Sequence, residues 1–327
     1  MRAEDLKARL CAGERRALAR AITLVESTRA DDREAARALL SELWPGPGRA
    51  IRLGLSGTPG VGKSTFIEAF GSMLTAAGRR VAVLAVDPSS SRSGGSILGD
   101  KTRMEKLSRD PMAFIRPSPA GGSLGGVARR TREAILLCEA AGFDVVIVET
   151  VGVGQSETAV SDMTDLFLLL MAPAGGDELQ GVKRGVMEVA DFVVVNKADG
   201  ALRETAIGTA ADYAGALRLL RRREGDPDGV PAALTCSAAT GEGLEAVWSR
   251  LAALDAHRRD GGWRARRRAA QAVRWLRAEV EAGLLSAFAA HPDVAAALPG
   301  IEAEVQAGGR APEAAAEALL ARFLGRA

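Results

Sequence analysis

The segment of this sequence with the strongest chemical signature has the pattern of a phosphate-binding loop. Residues 57–65 read GTPGVGKST and match G-x-x-x-x-G-K-[ST], in which backbone amides and a lysine hold phosphates and a hydroxyl ligates Mg2+. An apolar run from Ile51 to Leu55 precedes the pattern and a helix-prone run follows it, as such a loop requires. The pattern predicts a nucleoside-triphosphate site, and an ordinary glycine-rich turn is the alternative. The predicted phosphate contacts are Gly57, Pro59, Gly60, Val61, Gly62, Lys63, Ser64 and Thr65.

A second nucleotide signal is an apolar run that ends in an acid. Residues 145–148 lead into Glu149, and Gly152 follows three positions later. This arrangement is typical of a Walker B strand, whose carboxylate orders Mg2+ while the glycine amide meets the γ-phosphate. The acid is usually aspartate, so glutamate is a longer substitute here. Residues 153–157 are predicted to sense the γ-phosphate, and a plain strand-to-helix turn is the alternative.

Two further acids lie where a nucleotide site would need them. The apolar run 81–86 ends in Asp87, and a Ser- and Gly-rich segment leads from there to Asp100. Ligands of open parallel sheets bind beyond the carboxyl ends of the strands, so Asp87 is predicted to face the nucleotide. We predict catalytic roles for Lys63, Asp87, Glu149 and Gly152. The predicted Mg2+ ligands are Ser64, Asp87, Asp100 and Glu149, and which of the acids binds the ion directly is left open.

A third motif selects the base. The run 192–195 is followed by Asn196, Lys197 and Asp199 in the pattern N-K-x-D. A carboxylate at Asp199 can accept hydrogen bonds from guanine N1 and the exocyclic amine, whereas adenine offers no such donor pair. Ser237 and Ala238 follow another strand and resemble the loop whose backbone amide meets the guanine O6. The sequence therefore predicts GTP or GDP as the ligand.

The apolar runs also predict the elements that position these residues. The runs at 81–86, 166–171 and 192–195 are continuous rather than alternating, which is typical of parallel strands buried on both faces. We predict an α/β P-loop fold with a mostly parallel central sheet flanked by helices. The predicted domains are an N-terminal helical extension at 1–48, a nucleotide-binding domain at 49–256 and a C-terminal helical arm at 257–327.

Composition narrows the class of protein. Hydrophobic residues make up 47% of the 327 residues and charged residues 26%, and the net charge is +2, so nothing global indicates nucleic acid or a membrane. The three cysteines are scattered and suit a reducing cytoplasm. The longest apolar run is too short to span a bilayer. The arginines between Trp263 and Trp275 are interpreted as a solvated or partner-facing helix, with nucleic-acid binding as the alternative.

Two segments remain without a local chemical assignment. The Gly-rich segment 172–183 follows a predicted strand, and composition alone leaves a switch loop and a plain connection equally open. In the C-terminal arm, Pro292 and Gly308 break the helical pattern, with helices predicted at 284–290 and 313–324. An exposed arm must bury its apolar faces, and a second copy of the chain is the simplest partner. We therefore predict a homodimer.

With these motifs in place, the chain resembles the MeaB/ArgK family of GTPases over essentially its full length. The stretches VDPSS at 86–90 and ETVGVGQSE at 149–157 are more specific for this family than the phosphate loop. The resemblance implies a homodimeric, Mg2+-dependent GTPase that chaperones adenosylcobalamin-dependent methylmalonyl-CoA mutase. It further implies that the protein gates cofactor loading with the adenosyltransferase and protects the mutase from inactivation. By the same resemblance, Gln180 and Lys183 belong to a switch that signals nucleotide state to the mutase.

Three alternative functions remain open at this point. A label attached to ArgK-type sequences suggests a P-loop kinase of a transport protein. A related branch contains nickel-insertion chaperones, but His257 and His291 are the only histidines and neither lies near a cysteine pair, so metal delivery is disfavoured. The third is a scaffold that binds GTP without needing to hydrolyse it.

Overall fold

The central element of the fold is a parallel sheet. The computed structural model describes residues 3–44, 48–86, 104–117, 124–150, 156–173, 184–220 and 222–326. Within these residues, seven strands form one sheet in the order β3-β2-β4-β1-β5-β6-β7, and every pairing is parallel. The strands are β1 (Ile51–Gly57), β2 (Val81–Val86), β3 (Ala113–Arg116), β4 (Val145–Thr150), β5 (Leu166–Met171), β6 (Phe192–Val195) and β7 (Ala232–Thr235). The predicted α/β class with a parallel sheet is confirmed.

Helices connect the strands and cover the sheet. The described helices are α1 (Ala3–Cys11), α2 (Arg15–Glu26), α3 (Ala30–Leu43), α4 (Lys63–Ala76), α5 (Glu105–Arg109), α6 (Leu124–Ala140), α7 (Ser156–Ser161), α8 (Arg184–Val189), α9 (Arg203–Arg218), α10 (Leu244–Asp260), α11 (Trp263–Ala290), α12 (Pro292–Gln306) and α13 (Pro312–Phe323). Helices α1 to α3 lie in the segment predicted as an N-terminal helical extension. Within it α2 packs on α3, and α2 also packs on α6 of the following domain. Leu18, Ile22 and Val25 of α2 are buried at helical spacing.

The position of β1 decides where the site lies. β1 pairs with β4 on one side and β5 on the other, so it is the middle strand of the sheet. Its inward residues Leu53 and Leu55 are buried in a core that continues through Phe66 and Phe70 of α4. Since all strands are parallel, the residues that follow β1, β4 and β6 lie at one edge of the sheet. The phosphate loop, Glu149 and Asn196 are thereby brought to that edge.

The chain divides into two compact units, residues 1–268 and 269–327. The second unit has a small core of Val294, Ile301, Ala315 and Leu319, beside which Phe288 and Phe323 meet edge to face at 5.5 Å. Pro292 begins α12, because the first position of a helix needs no N–H donor. The predicted short helix at 284–290 is the end of the 28-residue helix α11.

Three arginines near the start of α11 are bound within the protein, so the interpretation of the whole cluster as solvated was wrong, although Arg266 is exposed and lies over the ring of Trp263. Arg264 donates to Asp255 at 2.9 Å, and Arg268 Nη2 lies 2.6 Å from Asp165 Oδ2. Arg267 donates to the carbonyl oxygen of Thr164 at 3.0 Å. Thr164 and Asp165 directly precede β5, whereas Asp255 lies in α10. These arginines therefore bind acids and a carbonyl group of the protein itself, which the charges along the sequence could not show.

Membrane-spanning segments were sought among the described helices. No single helix there is both long and apolar enough to cross a bilayer. The helices Trp263–Ala290 and Pro292–Gln306 are joined by a bend, and they reach the length and apolar composition of a membrane span only when they are taken together.

Candidate nucleotide site

The backbone of the phosphate loop adopts a conformation that requires glycine at several positions. Gly60 and Gly62 adopt φ values of 81° and 90°, in the left-handed region that favours glycine. A Cβ on Gly57 would lie 2.5 Å from the carbonyl oxygen of Leu170 on the neighbouring strand β5. The chain can therefore turn tightly from β1 into α4, and the turn leaves the amino end of α4 facing the sheet edge, as phosphate binding requires.

Lys63 lies at the first position of α4 and points back into the loop. Its Nζ donates to the carbonyl oxygen of Gly57 at 2.7 Å and lies 3.4 Å from that of Thr58. Burial lowers the pKa of the Lys63 ammonium, while the negative charges of Glu149 and Glu157 act in the opposite direction. Both carboxylates are buried as well. Lys63 therefore provides a positive charge, anchored by the loop, where β- and γ-phosphates are expected.

Asn196 connects the base-binding motif to the phosphate loop. The side chain is 1% exposed and its Nδ2 donates to the carbonyl oxygen of Val61 at 3.0 Å. Its Oδ1 accepts from the backbone N–H of Ala238 at 2.9 Å. Lys197 has a φ of 60° and its Nζ donates to the carbonyl oxygen of Gly60 at 2.8 Å. Two of the three N-K-x-D residues thus fix the loop geometry.

Asp199 is oriented by the second base-binding loop. Ser237 Oγ donates to Asp199 Oδ1 at 2.6 Å and itself accepts from the backbone N–H of Thr240 at 3.2 Å. Hydrogen bonds of this kind restrict the rotation of the carboxylate before any ligand arrives. The structure thus brings together Asn196, Lys197, Asp199, Ser237 and Ala238, as the sequence predicted for a guanine pocket.

Comparison with known proteins identifies the family. The family described as "Methylmalonyl Co-A mutase-associated GTPase MeaB" matches residues 18–293, most of this chain. The chain belongs to the MeaB family of GTPases. The Escherichia coli GTPase ArgK is 49% identical over 291 residues, covering 89% of this chain and 87% of that one. A Mus musculus relative named "Methylmalonic aciduria type A homolog, mitochondrial" is 49% identical over 327 residues, covering 97% and 78%.

Solved structures agree with this assignment. A crystal structure of a protein described as "LAO/AO transport system kinase" is similar with a TM-score of 0.75 and 39% sequence identity, and the match covers 99% of this chain and 97% of that one. The present chain therefore has the P-loop GTPase fold of its family and hydrolyses GTP, and the nucleotide it binds is GTP or GDP.

Some predicted residues of this MeaB-family site fall outside the described ranges. These are Asp87, Asp100, Gly152, Gln180 and Lys183. Their roles stay predictions. Among the described residues there is no group of three or more His, Cys, Asp or Glu side chains that could hold a metal ion.

The described candidates for Mg2+ have suitable chemistry. Ser64 follows Lys63 at the start of α4, and Glu149 is the last but one residue of β4, beside Leu55 of β1. A hydroxyl and a carboxylate are hard oxygen ligands, which Mg2+ prefers together with water and substrate phosphates. The negative charge of Glu149 also reaches the Lys63 ammonium, because it opposes part of the lowering that burial imposes on the pKa of that group. The two residues therefore fit the ion without forming a complete cage.

The family site has three supporting contacts that the sequence motifs missed. Thr150 Oγ1 donates to Ser56 Oγ at 2.8 Å between two buried side chains, which joins the end of β4 to the residue before the phosphate loop. Arg203 Nη1 donates to Glu242 at 2.8 Å, which joins the start of α9 to the base-binding loop. Glu68 of α4 accepts the backbone N–H of Lys106 at 2.7 Å, where α5 begins. No motif predicts these pairings, because the partners are far apart in sequence.

Proposed function

We propose that this MeaB-family GTPase is a chaperone of an adenosylcobalamin-dependent methylmalonyl-CoA mutase. In this proposal it gates cofactor loading together with the adenosyltransferase and protects the mutase from inactivation. The observation that carries the proposal is the match over residues 18–293 to a family whose description names a mutase-associated GTPase. The name of the mouse relative, which refers to methylmalonic aciduria, supports the same metabolic link.

The proposed mechanism of hydrolysis uses positioning and charge. Lys63 and the backbone amides of the loop hold the negative charge that develops on the γ-phosphate as an in-line water attacks. Ser64 and Glu149, with Asp87 and Asp100 as further candidates, would hold Mg2+, which supplies positive charge at the β- and γ-phosphates. Val153 follows Gly152, and a valine side chain cannot orient the attacking water. We therefore propose slow hydrolysis alone and faster hydrolysis when the mutase orders the site.

The test is GTP turnover measured with and without a purified adenosylcobalamin-dependent mutase. We expect stimulation by the mutase, and replacing Lys183 with alanine should leave basal turnover unchanged while reducing the stimulation about tenfold or more, since a charge-assisted contact is worth about 1.5–3 kcal/mol. Lys106→Ala, on the described helix α5, is the matched control and should keep full stimulation. Equal stimulation of the Lys183 variant would remove its signalling role. No response of the wild-type protein to any such mutase would contradict the proposal.

One alternative has a specific observation in its favour. The similar crystal structure is described as a transport system kinase, and the corresponding alternative function is transfer of the γ-phosphate to a protein. GTP labelled in the γ-phosphate separates the two functions, because a GTPase releases the label as free phosphate and a kinase leaves it on protein. A third function, the scaffold, would let a non-hydrolysable GTP analogue support the mutase as well as GTP does.

A homodimer is part of the proposal. In the second unit, α11 exposes Leu276 at 64%, Val280 at 52% and Leu284 at 57%, spaced to lie on one helix face. An apolar row of this kind favours a second helix, and an identical chain would supply one. Three free cysteines agree with a reducing compartment, so we place the dimer in the cytoplasm.

Light scattering of the purified chain tests the dimer. Leu284→Glu should convert a dimer to a monomer, because it places a charge in the centre of an apolar contact. Glu281→Lys, an exposed position on the same helix, is the control and should leave the mass unchanged. A wild-type protein with the mass of one chain would contradict this part of the proposal.

A further inference from the structure

A second cavity lies away from the phosphate loop, along the outermost strand β3. Its volume is about 580 Å3, which is within the range of about 300–1,000 Å3 that small-molecule sites occupy. One wall comes from helix α2 and the other from β3 and the end of α5. The lining residues are Arg15, Arg16, Ala19, Ser108, Phe114, Ile115, Arg116 and Pro117. None of them has a role in the nucleotide site described above.

The cavity is strongly basic. Three of its described lining side chains are arginines, and none of the described ones is an aspartate or glutamate. Arg116 is paired with Glu26, and its Nε lies 3.2 Å from Glu26 Oε1. Among the described residues, neither Arg15 nor Arg16 has a carboxylate partner within ion-pair distance. The cavity therefore keeps about two uncompensated positive charges, which attract an anion.

Arg15 is held in place without losing its charge. Its Nη1 donates to the carbonyl oxygen of Asp110 at 3.2 Å, and its Nη2 donates to that of Ser108 at 3.3 Å. Carbonyl oxygens fix a guanidinium but do not neutralise it. The carboxylate of Asp110 is engaged elsewhere, since its Oδ1 accepts the backbone N–H of Met112 at 2.8 Å. Arg15 is thus a pre-positioned cation, and less side-chain entropy is lost when it binds an anion.

The rest of the lining selects an anion with an apolar part. Ala19 and Pro117 are half-buried and supply hydrophobic surface beside the arginines, to which the largely buried Phe114 and Ile115 add little. Inorganic phosphate would leave that surface in water, and a carboxylate carries one charge where the cavity offers two. A phosphate monoester carries about −1.5 to −2 at neutral pH and has oxygens that match guanidinium donors.

We propose that this cavity is a binding site for a small organic phosphate. Its phosphate lies between Arg15 and Arg16, and its apolar part packs on Ala19 and Pro117. The site is separate from the phosphate loop, so it is available while GDP is bound. The proposal does not depend on the mutase or on any other part of the proposed function.

Calorimetric titration of the full chain saturated with GDP provides the test, with phenyl phosphate as the probe. Phenyl phosphate should bind at least tenfold more tightly than either inorganic phosphate or benzoate, since each lacks one of the two recognised features. Arg16→Gln should weaken binding by about tenfold or more, as expected for a lost hydrogen bond between charged groups. Arg15→Gln should do the same. Raising the salt concentration should weaken binding further.

The matched control is Arg20→Gln, which removes the same charge from an exposed position of the same helix outside the cavity. It should change the affinity by less than about twofold. Arg16 forms no hydrogen bond or ion pair with another described residue, so Arg16→Gln should leave folding and GDP affinity intact. The Arg16 variant therefore tests the proposal even if Arg15→Gln disturbs the fold.

Four results would overturn the proposal. The first is the absence of phenyl phosphate binding at millimolar concentration. The second is equal weakening by Arg20→Gln and Arg16→Gln, which would show diffuse attraction only. The third is loss of binding as GDP saturates the protein, which would place the probe in the phosphate loop. The fourth is tighter binding of a glutamate-rich peptide than of phenyl phosphate, which would make the surface a protein contact.

Discussion

Replacing Asp199 with asparagine should convert this GTP-binding protein into one that prefers xanthosine triphosphate (XTP). The carboxylate of Asp199 is held by Ser237 Oγ at 2.6 Å, so it is oriented toward a ligand by the base-binding loop. Guanine offers two donors to it, and xanthine replaces the second donor with an acceptor. An asparagine can accept from N1–H and donate to that acceptor. Losing two charge-assisted hydrogen bonds of about 1.5–3 kcal/mol each predicts about 10²- to 10⁴-fold weaker GTP binding.

Competition of GTP and XTP for the same protein measures this change. Asp212→Asn is the matched control, because it makes the same chemical change on an exposed position of α9 and should leave the GTP preference intact. Ser237→Ala should weaken both nucleotides by about 2- to 10-fold without reversing the preference, since it removes only the orienting bond. An Asp199→Asn protein with wild-type GTP affinity would show that another residue reads the base.

Arg258→Met should lower the free energy of unfolding by about 3–5 kcal/mol, because it leaves buried carboxylates without their cation. Arg258 is 7% exposed, and its Nη2 lies 2.6 Å from Asp191 Oδ1 and 2.7 Å from Asp226 Oδ1. Its Nη1 also donates to the carbonyl oxygen of Asp165 at 3.1 Å. One side chain of α10 thus joins the starts of β5 and β6.

Urea unfolding at neutral pH with GDP present measures this effect. Arg259→Met is the matched control, because Arg259 is the next residue, is 53% exposed and pairs with Asp260 at the surface. That pair should contribute at most about 1 kcal/mol. Combining Arg258→Met with Asp226→Leu should recover part of the loss, since one unpaired carboxylate is removed. Similar urea midpoints for the Arg258 and Arg259 single variants would show that the buried network does not stabilise the fold.

The same network predicts a response to acid. Burial by itself would raise the pKa of Asp191, but Arg258 and Arg223 more than offset it and hold that pKa below its usual value. Asp165 behaves in the same way through Arg268 and Arg52. Because these folded-state pKa values are lowered, the stabilisation is present above about pH 4 and is lost as the pH falls through them. Acid unfolding of Arg258→Met should therefore begin at a higher pH than in the wild type.

Local patterns were enough to predict most of the sheet and the nucleotide motifs. The continuous apolar runs at 81–86, 166–171 and 192–195 became β2, β5 and β6, since a strand buried on both faces has no polar positions to alternate with. The phosphate loop and the N-K-x-D motif were recognisable because their geometry depends on neighbours in sequence. Glycines at 60 and 62, for example, are required by local backbone angles.

Contacts between distant segments were not predictable in this way. The arginines at 264 and 268 are similar in sequence to a solvated cluster, and only their partners Asp255 and Asp165 show that they are buried. A separate helix was predicted at 284–290, yet these residues are the end of α11, whose 28 residues run unbroken from Trp263 to Ala290. Helix length depends on packing as well as on propensity, so the pattern of apolar residues placed only part of it.

The sequence by itself determined the phosphate loop, the N-K-x-D motif that predicts guanine selection by Asp199, and the family to which they belong. These signals are local, because each motif must meet the same ligand atoms with residues close together in the chain. The tertiary structure decided how the motifs support one another, as when Asn196 reaches Val61 and Ser237 orients Asp199. It also decided which charges are neutralised. Arg258 and Arg268 are paired with acids, whereas Arg15 and Arg16 lie beside a cavity with no carboxylate partner among the described residues, because charge balance depends on neighbours that only folding brings together.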